Sequence, residues 1–345
     1  MKIFSKVALP ARDKRRSRLL WITLVIVSIA ILSLWALRYI TNTETVDLDQ
    51  SVRSQAPGKF VKLSDGFVHY QLIGSAEDPT VVLVPGATLP FFVWDPIIDP
   101  LLKAGFRVLR FDLFGRGYSD RPDLPNNPAF FNKQIKELLD ALQVKAPVHL
   151  MGVASGSLTS VLYTDQYPND ASSLILICPE GHGTIQDDPP FMLRLLLMPG
   201  IGDYLADVMG DKPLLDRLNG YSDDPAIVND LRNRFRPSIH IKGFRRSLLS
   251  TLRNMPFRDA SPVYRRVGER RLPTLIVWGD RDRITPLAQA KPVREAMPHA
   301  EFHLLESGHL PQYEHPKVFM PILLDFLESM AQKRTAGRGV ERKTD

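Results

Sequence analysis

Cysteine is nearly absent: Cys178 stands alone in a chain of 345 residues. A single thiol excludes an intrachain disulfide, which a domain of this size tolerates even outside the cytoplasm. Its place at the end of the apolar run 174–177 reads as a buried core thiol. Surplus positive charge is missing from most of the chain. The formal net charge is +6, yet residues 1–18 alone carry seven Lys/Arg and one Asp. The remainder balances, with 37 Lys/Arg against 37 Asp/Glu. The pI near 9.3 is therefore the property of a tail. With no recognition motif beside it, this charge gives no reason to expect nucleic acid as a partner. No cofactor motif and no metal-ligand set stands out, so neither is expected.

Charge of either sign is absent from residues 19–37, LLWITLVIVSIAILSLWAL. As a helix this stretch spans about 28 Å, close to the hydrocarbon thickness of a bilayer. Trp35 and Tyr39 suit one interface, with Arg38 snorkelling beside them. The basic cluster before the span outweighs Arg38 after it, so the N-terminus is expected in the cytoplasm and the body across the membrane. A cleaved signal peptide is the alternative. The stretch is longer than a usual signal core, and no small-x-small cleavage site follows. The expected organisation is a basic cytoplasmic tail at 1–18, an anchor at 19–40 and a polar linker at 41–57. A body follows at 58–330, and then a polar, frayed tail at 331–345.

The body alternates. Residues 60–74 read as a hairpin turning at Ser64-Asp65-Gly66. Short apolar runs follow at 80–84, 107–111, 147–151, 174–177, 274–278 and 301–305. Helical patterns lie between several of them. In 131–144, for example, Ile135, Leu138, Leu139 and Leu142 fall at i, i+3, i+4 and i+7. This pattern predicts an α/β fold with a mostly parallel sheet of about eight strands and helices on both faces. One interval, about 181–270, has helical character and no good strand. Its Leu/Met-rich segment suits a helical cap over the strand ends, lining an apolar pocket.

The most informative absence is a hydroxyl. HLMGVASGSL, residues 149–158, joins an apolar strand to a helix. That is the setting of a nucleophile elbow, G-x-S-x-G. Gly152 and Gly156 stand two before and two after the central position, where side chains would collide. The central residue is Ala154. Moving the frame to Ser155 would put Val153 and Ser157 where glycines belong. Further on, Asp282 lies in the loop beyond the strand that ends at Gly279. His309 lies in the loop beyond the next strand. An acyl-transfer site needs a nucleophile, a base, a group to orient that base, and oxyanion donors. Acid and histidine follow the elbow in the order such a sheet requires. Asp280 and Glu180 are lesser candidates for the acid.

These residues resemble the α/β-hydrolase superfamily with a helical cap, over residues 58–330. VVLVPGATLPFFVWDP, 81–96, is similar to the family's strand and HG turn, with Pro85 in place of the usual His. Asp112, Gly115, Gly117 and Ser119 match its D-x-x-G-x-G-x-S segment. Residues 160–181 resemble the membrane-anchored monoacylglycerol-lipase branch. The resemblance implies Asp282 as the acid and His309 as the base, with the Ala87 and Ser155 backbone N–H groups as oxyanion donors. The resemblance is specific for fold and not for substrate; the Leu/Met-rich cap is what suits a small apolar or acyl compound.

Ala154 cannot form an acyl-enzyme, and loss of a triad serine can cost ~10⁶ in turnover. Four readings follow. A substitution made to trap an intermediate fits poorly with a chain that keeps its apolar segment. Ser155 could substitute, but in an elbow the neighbouring side chain is expected to point elsewhere. A His309–Asp282 dyad could act as a general base on water or on a substrate proton. Finally, the protein could bind a lipid or a protein partner without catalysing, as the family's N-myc downstream-regulated and lipase-coactivator branches resemble proteins that do.

Overall fold

A computed structural model describes residues 14–341. Most of the basic tail and the last four residues lie outside the described residues. The described residues begin with a long helix, α1 (Lys14–Thr41), apolar and exposed over residues 18–40 apart from Arg18 and Arg38 at its margins. A short helix, α2 (Gln50–Ser54), follows, capped by Asp49.

An eight-stranded sheet then forms in the order β1-β2-β4-β3-β5-β6-β7-β8. The hairpin β1 (Lys59–Leu63) and β2 (Gly66–Ile73) pairs antiparallel, and β2 pairs antiparallel with β4 (Arg107–Phe111). All other neighbours are parallel: β3 (Thr80–Val84), β5 (Val148–Val153), β6 (Ala171–Ile177), β7 (Thr274–Gly279) and β8 (Glu301–Leu305). β3, β5 and β7 are buried at every position. Strands covered on both faces read as continuous apolar runs, which is why they were visible in the sequence.

Two helical layers cover the sheet. One is α3 (Asp95–Lys103) with the later helices α13 (Pro311–Glu314) and α14 (Pro316–Glu341). The other joins α4 (Pro128–Ala141), α5 (Ser155–Gln166), α11 (Ser261–Glu269) and α12 (Ala290–Ala296). Between β6 and α11 the chain forms helices and no strand among the described residues. They are α6 (Phe191–Leu197), α7 (Ile201–Met209), α8 (Lys212–Arg217), α9 (Pro225–Ile239) and α10 (Phe244–Asn254). The helical interval expected at about 181–270 thus divides: α11 packs on α5 with the sheet's own layer, and α6–α10 form the insertion.

Two expectations need correction. The segment 41–57, read as a free linker, is docked on the insertion. Val46 bridges Ile241, and the Glu44 carboxylate accepts the N–H groups of Gly243 at 2.7 Å and Arg245 at 2.5 Å. The Glu44 side chain binds a distant backbone, and Asn42 and Thr43 accept from the Arg245 guanidinium. The terminal segment, expected to fray from residue 331, continues α14 as far as Glu341. Ala, Gln, Lys and Arg in that stretch are good helix formers.

Candidate active site

The elbow exists for the steric reason its glycines suggested. A Cβ on Gly152 would lie 2.3 Å from the Gly156 carbonyl oxygen, and one on Gly156 would lie 2.2 Å from that of Val84. Between them Ala154 adopts φ 54°, ψ −123°, a conformation L-residues avoid. Its N–H donates to the Ile177 carbonyl at 2.9 Å, which pins the turn to β6. α5 begins immediately afterwards, at Ser155.

Asp282 and His309 meet at the ends of β7 and β8. The Asp282 carboxylate is saturated. One oxygen accepts the N–H groups of Ile284 at 2.8 Å and Thr285 at 2.9 Å. The other accepts the Thr285 hydroxyl at 2.6 Å and faces His309 Nδ1 at 2.8 Å. Burial pushes this carboxyl up, but the imidazole and Thr285 outweigh it and hold it below the usual carboxylate range. An ionised carboxylate only accepts, so Nδ1 carries a proton, and the neutral form of the ring would present its lone pair at Nε2. Nε2 is buried and has no hydrogen-bond partner among the described residues. The loop is clamped by the insertion, where the His309 N–H donates to the Tyr221 carbonyl at 2.7 Å and the two rings meet edge to face at 4.9 Å.

The lesser acid candidates lie elsewhere. Asp280 accepts the Ser307 N–H at 3.1 Å and shapes the loop. Glu180 lines the pocket. Burial raises its carboxyl above the usual range, with the charges of Arg217 and His309 opposing.

Ser155 departs from expectation. Its side chain does not point away but turns back to accept the Ala87 N–H at 2.6 Å. One of the two expected oxyanion donors is therefore engaged by the neighbour of the elbow position. The Ala87 loop is held from its other side by Arg116. This fully buried guanidinium donates to the Ala87 carbonyl, to Ser247 at 2.7 Å and to Thr251 at 2.8 Å. Burial without a carboxylate partner, together with the nearby charge of Arg121, brings Arg116 down to about 9. Neither Arg116 nor Thr285 was singled out from the sequence. Thr285 could have been, because a hydroxyl three residues after a loop aspartate is a common local partner.

Ala87, Ala154, Glu180 and His309 line a cavity of about 330 Å³. The insertion closes it with Leu196, Ala206, Met209, Leu214 and others. Cys178, Asp282 and His309 could offer three donor atoms within 4.8 Å of one another. Those donors are committed otherwise, since the carboxylate has no lone pair left and burial pushes the Cys178 thiol well up. The set fits an oriented imidazole better than a metal ion.

Fold and strand order define an α/β-hydrolase sheet. Comparison with known proteins agrees: the family described as alpha/beta hydrolase fold matches residues 79–316. The chain belongs to that family. It is 28% identical over 296 residues to a 2-hydroxy-6-oxononadienedioate/2-hydroxy-6-oxononatrienedioate hydrolase of Paraburkholderia xenovorans (strain LB400), covering 80% of this chain and 97% of the relative. It is 30% identical over 275 residues to the protein of the same description in Escherichia coli (strain K12), covering 75% and 90%. Among solved structures, an enol-lactonase from Burkholderia xenovorans LB400 superposes with a TM-score of 0.66 at 21% identity, covering 78% of this chain and 100% of that one.

Proposed function

We propose that this chain is a membrane-anchored member of the family that acts on a small apolar acyl or carbonyl compound, with His309 as general base oriented by Asp282. The observation that carries the reading is His309 Nε2, buried, unpartnered and on the wall of a cavity floored by Ala154. Without a serine hydroxyl the reaction runs in one stage. Nε2 takes a proton from water while the water oxygen bonds to the substrate carbonyl carbon. The resulting oxyanion lies near the Ser155 N–H. Collapse breaks the bond to the leaving group, which receives the proton from His309. General-base assistance contributes ~10²–10⁴, so turnover is slow beside that of a serine esterase. The relatives' descriptions support carbonyl chemistry in this frame. The anchor rests on α1, whose most apolar 18 residues within Arg18–Thr41 have a mean hydropathy of 2.5, and the basic tail favours a cytoplasmic N-terminus.

The test is a turnover screen of the full chain against apolar esters, lactones and enolisable diketones, beside His309→Ala. Hydrolysis of any of these that is lost in the variant supports the reading. Absence of turnover in both, with retained binding of an apolar probe such as a fatty acid, overturns it. That outcome would support a second reading, a non-catalytic protein that binds a lipid or protein partner. One observation favours this second reading: the Ser155 hydroxyl already occupies the Ala87 N–H.

A further inference from the structure

The last turns of α1 run alongside α7 of the insertion. The Tyr204 hydroxyl donates to the Leu34 carbonyl at 3.1 Å, and Arg38 Nε donates to Asp207 at 2.8 Å. Just beyond, the Thr43 hydroxyl reaches Asp211 at 2.5 Å. The sequence separations of these pairs are 170, 169 and 168. A nearly constant offset means that the two helices are parallel and in register. Moving toward the start of α7 therefore moves down α1, away from the sheet and into the apolar stretch.

Carried one turn further, the register sets Ile201 level with about residue 31, well inside the segment 19–37 that has no charge. Six residues separate Ile201 from Asp207, about 9 Å along the axis. If Arg38 and Trp35 mark the interface, the corner joining α6 to α7 lies at the depth an interfacial helix occupies, roughly 5–10 Å below the headgroups. The residues at that corner are those expected there. Met198 and Ile201 are 45% and 52% exposed, and Phe191 and Met192 on α6 are 73% and 47% exposed. Two of the nearby acids are paired, Asp203 with Arg253 at 3.2 Å and Asp188 with Arg194. Inner side chains of the same helices, Leu196, Ala206 and Met209, line the cavity that holds His309.

We infer that the α6–α7 corner is a second membrane contact, seated in the leaflet through which α1 emerges. The pocket wall is then built on a lipid-facing element. The inference rests on reading α1 as a membrane span, so its test must separate the two. Cys178 is buried, so single cysteines placed at exposed sites can be labelled selectively in the full chain. Ile26→Cys, Phe191→Cys and Ile201→Cys, each carrying an environment-sensitive NBD dye, are reconstituted into phosphatidylcholine vesicles. Quenching by aqueous iodide is then compared with quenching by doxyl-labelled lipid. The expected result is blue-shifted emission at all three positions, quenched by lipid and protected from iodide. Lipid quenching at 26 with iodide-accessible dyes at 191 and 201 would overturn the corner while leaving the anchor standing. Iodide access at 26 would overturn the anchor, and the corner with it.

Discussion

The Ala87 backbone N–H donates to the Ser155 hydroxyl at 2.6 Å, across the place proposed for an oxyanion. This bond decides how readily the missing nucleophile can be restored. Ala154→Ser places a hydroxyl at the elbow centre, where His309 Nε2 has no other partner. Ala154→Ser is expected to acquire fluorophosphonate labelling, which the native chain is expected to lack, and to hydrolyse esters faster than the native chain. The second donor must still be freed by rotating Ser155. A neutral hydrogen bond contributes about 0.5–1.5 kcal/mol, so Ala154→Ser with Ser155→Ala should exceed Ala154→Ser by about 2- to 12-fold in kcat/KM. Equal rates for the two variants would show that Ser155 does not block the site. Labelling of the native chain at Ser155 would overturn the assignment of Ala154 as the elbow centre.

Ala154 holds φ 54°, ψ −123° without a hydroxyl to justify it. Backbone strain of this kind costs about 1–3 kcal/mol. Glycine adopts such angles freely, although it loses about 0.4–1 kcal/mol through the unfolded chain. Ala154→Gly is therefore expected to be neutral or up to about 2 kcal/mol more stable by urea denaturation. A loss of more than 1 kcal/mol would mean that the Ala154 methyl packs usefully and that the strain is small.

Much of this site could be read before any coordinates. The strands β3, β5 and β7 are covered on both faces, so their apolar runs are unbroken. Gly152 and Gly156 announce the elbow because a Cβ at either would strike backbone. Asp282 and His309 fall in loops just beyond strands, so local order makes them candidates, and the fold brings their side chains to 2.8 Å. What stayed hidden depends on distant pairing. Glu44 meets backbone N–H groups about two hundred residues away, and no local pattern separates such a strap from a linker. The direction of the Ser155 hydroxyl depends on the Ala87 loop, which Arg116 holds from within the insertion's interface. The parallel register of α1 and α7 is likewise a tertiary fact.

Glu180 supplies a pH-dependent prediction. Burial raises its folded pKa above the ordinary 4.5 despite the opposing charges of Arg217 and His309. A raised carboxyl contributes stability that is complete below the unfolded pKa and is lost as pH rises through the folded one. Glu180→Gln removes that loss. The variant should melt higher than the native chain at pH 7–8, and the difference should vanish below the ordinary value of 4.5. A variant less stable at neutral pH would show that Arg217 holds the carboxylate more tightly than burial repels it.

Asp282 has the opposite sign, and its prediction joins stability to chemistry. Its folded pKa lies below the ordinary 3.8. The stability it contributes is present above that value and is lost as pH falls through the folded pKa. Asp282→Asn should therefore be less stable than the native chain near neutrality, and the gap should close in acid. The amide keeps the volume but changes what it offers His309. Its NH₂ group cannot accept from Nδ1, and if it donates there instead, the ring must carry its proton on Nε2. A base with a proton already in place cannot take one from water. Where the imidazole acts as the base, this exchange of tautomer has cost about 10⁴ in turnover in the comparable serine-protease triad. Any hydrolysis by the native chain should fall by a similar factor in Asp282→Asn, with KM nearly unchanged because Asp282 does not line the cavity. Should turnover survive the change, the His309–Asp282 pair would be structural, and the proton acceptor would have to be sought at Glu180.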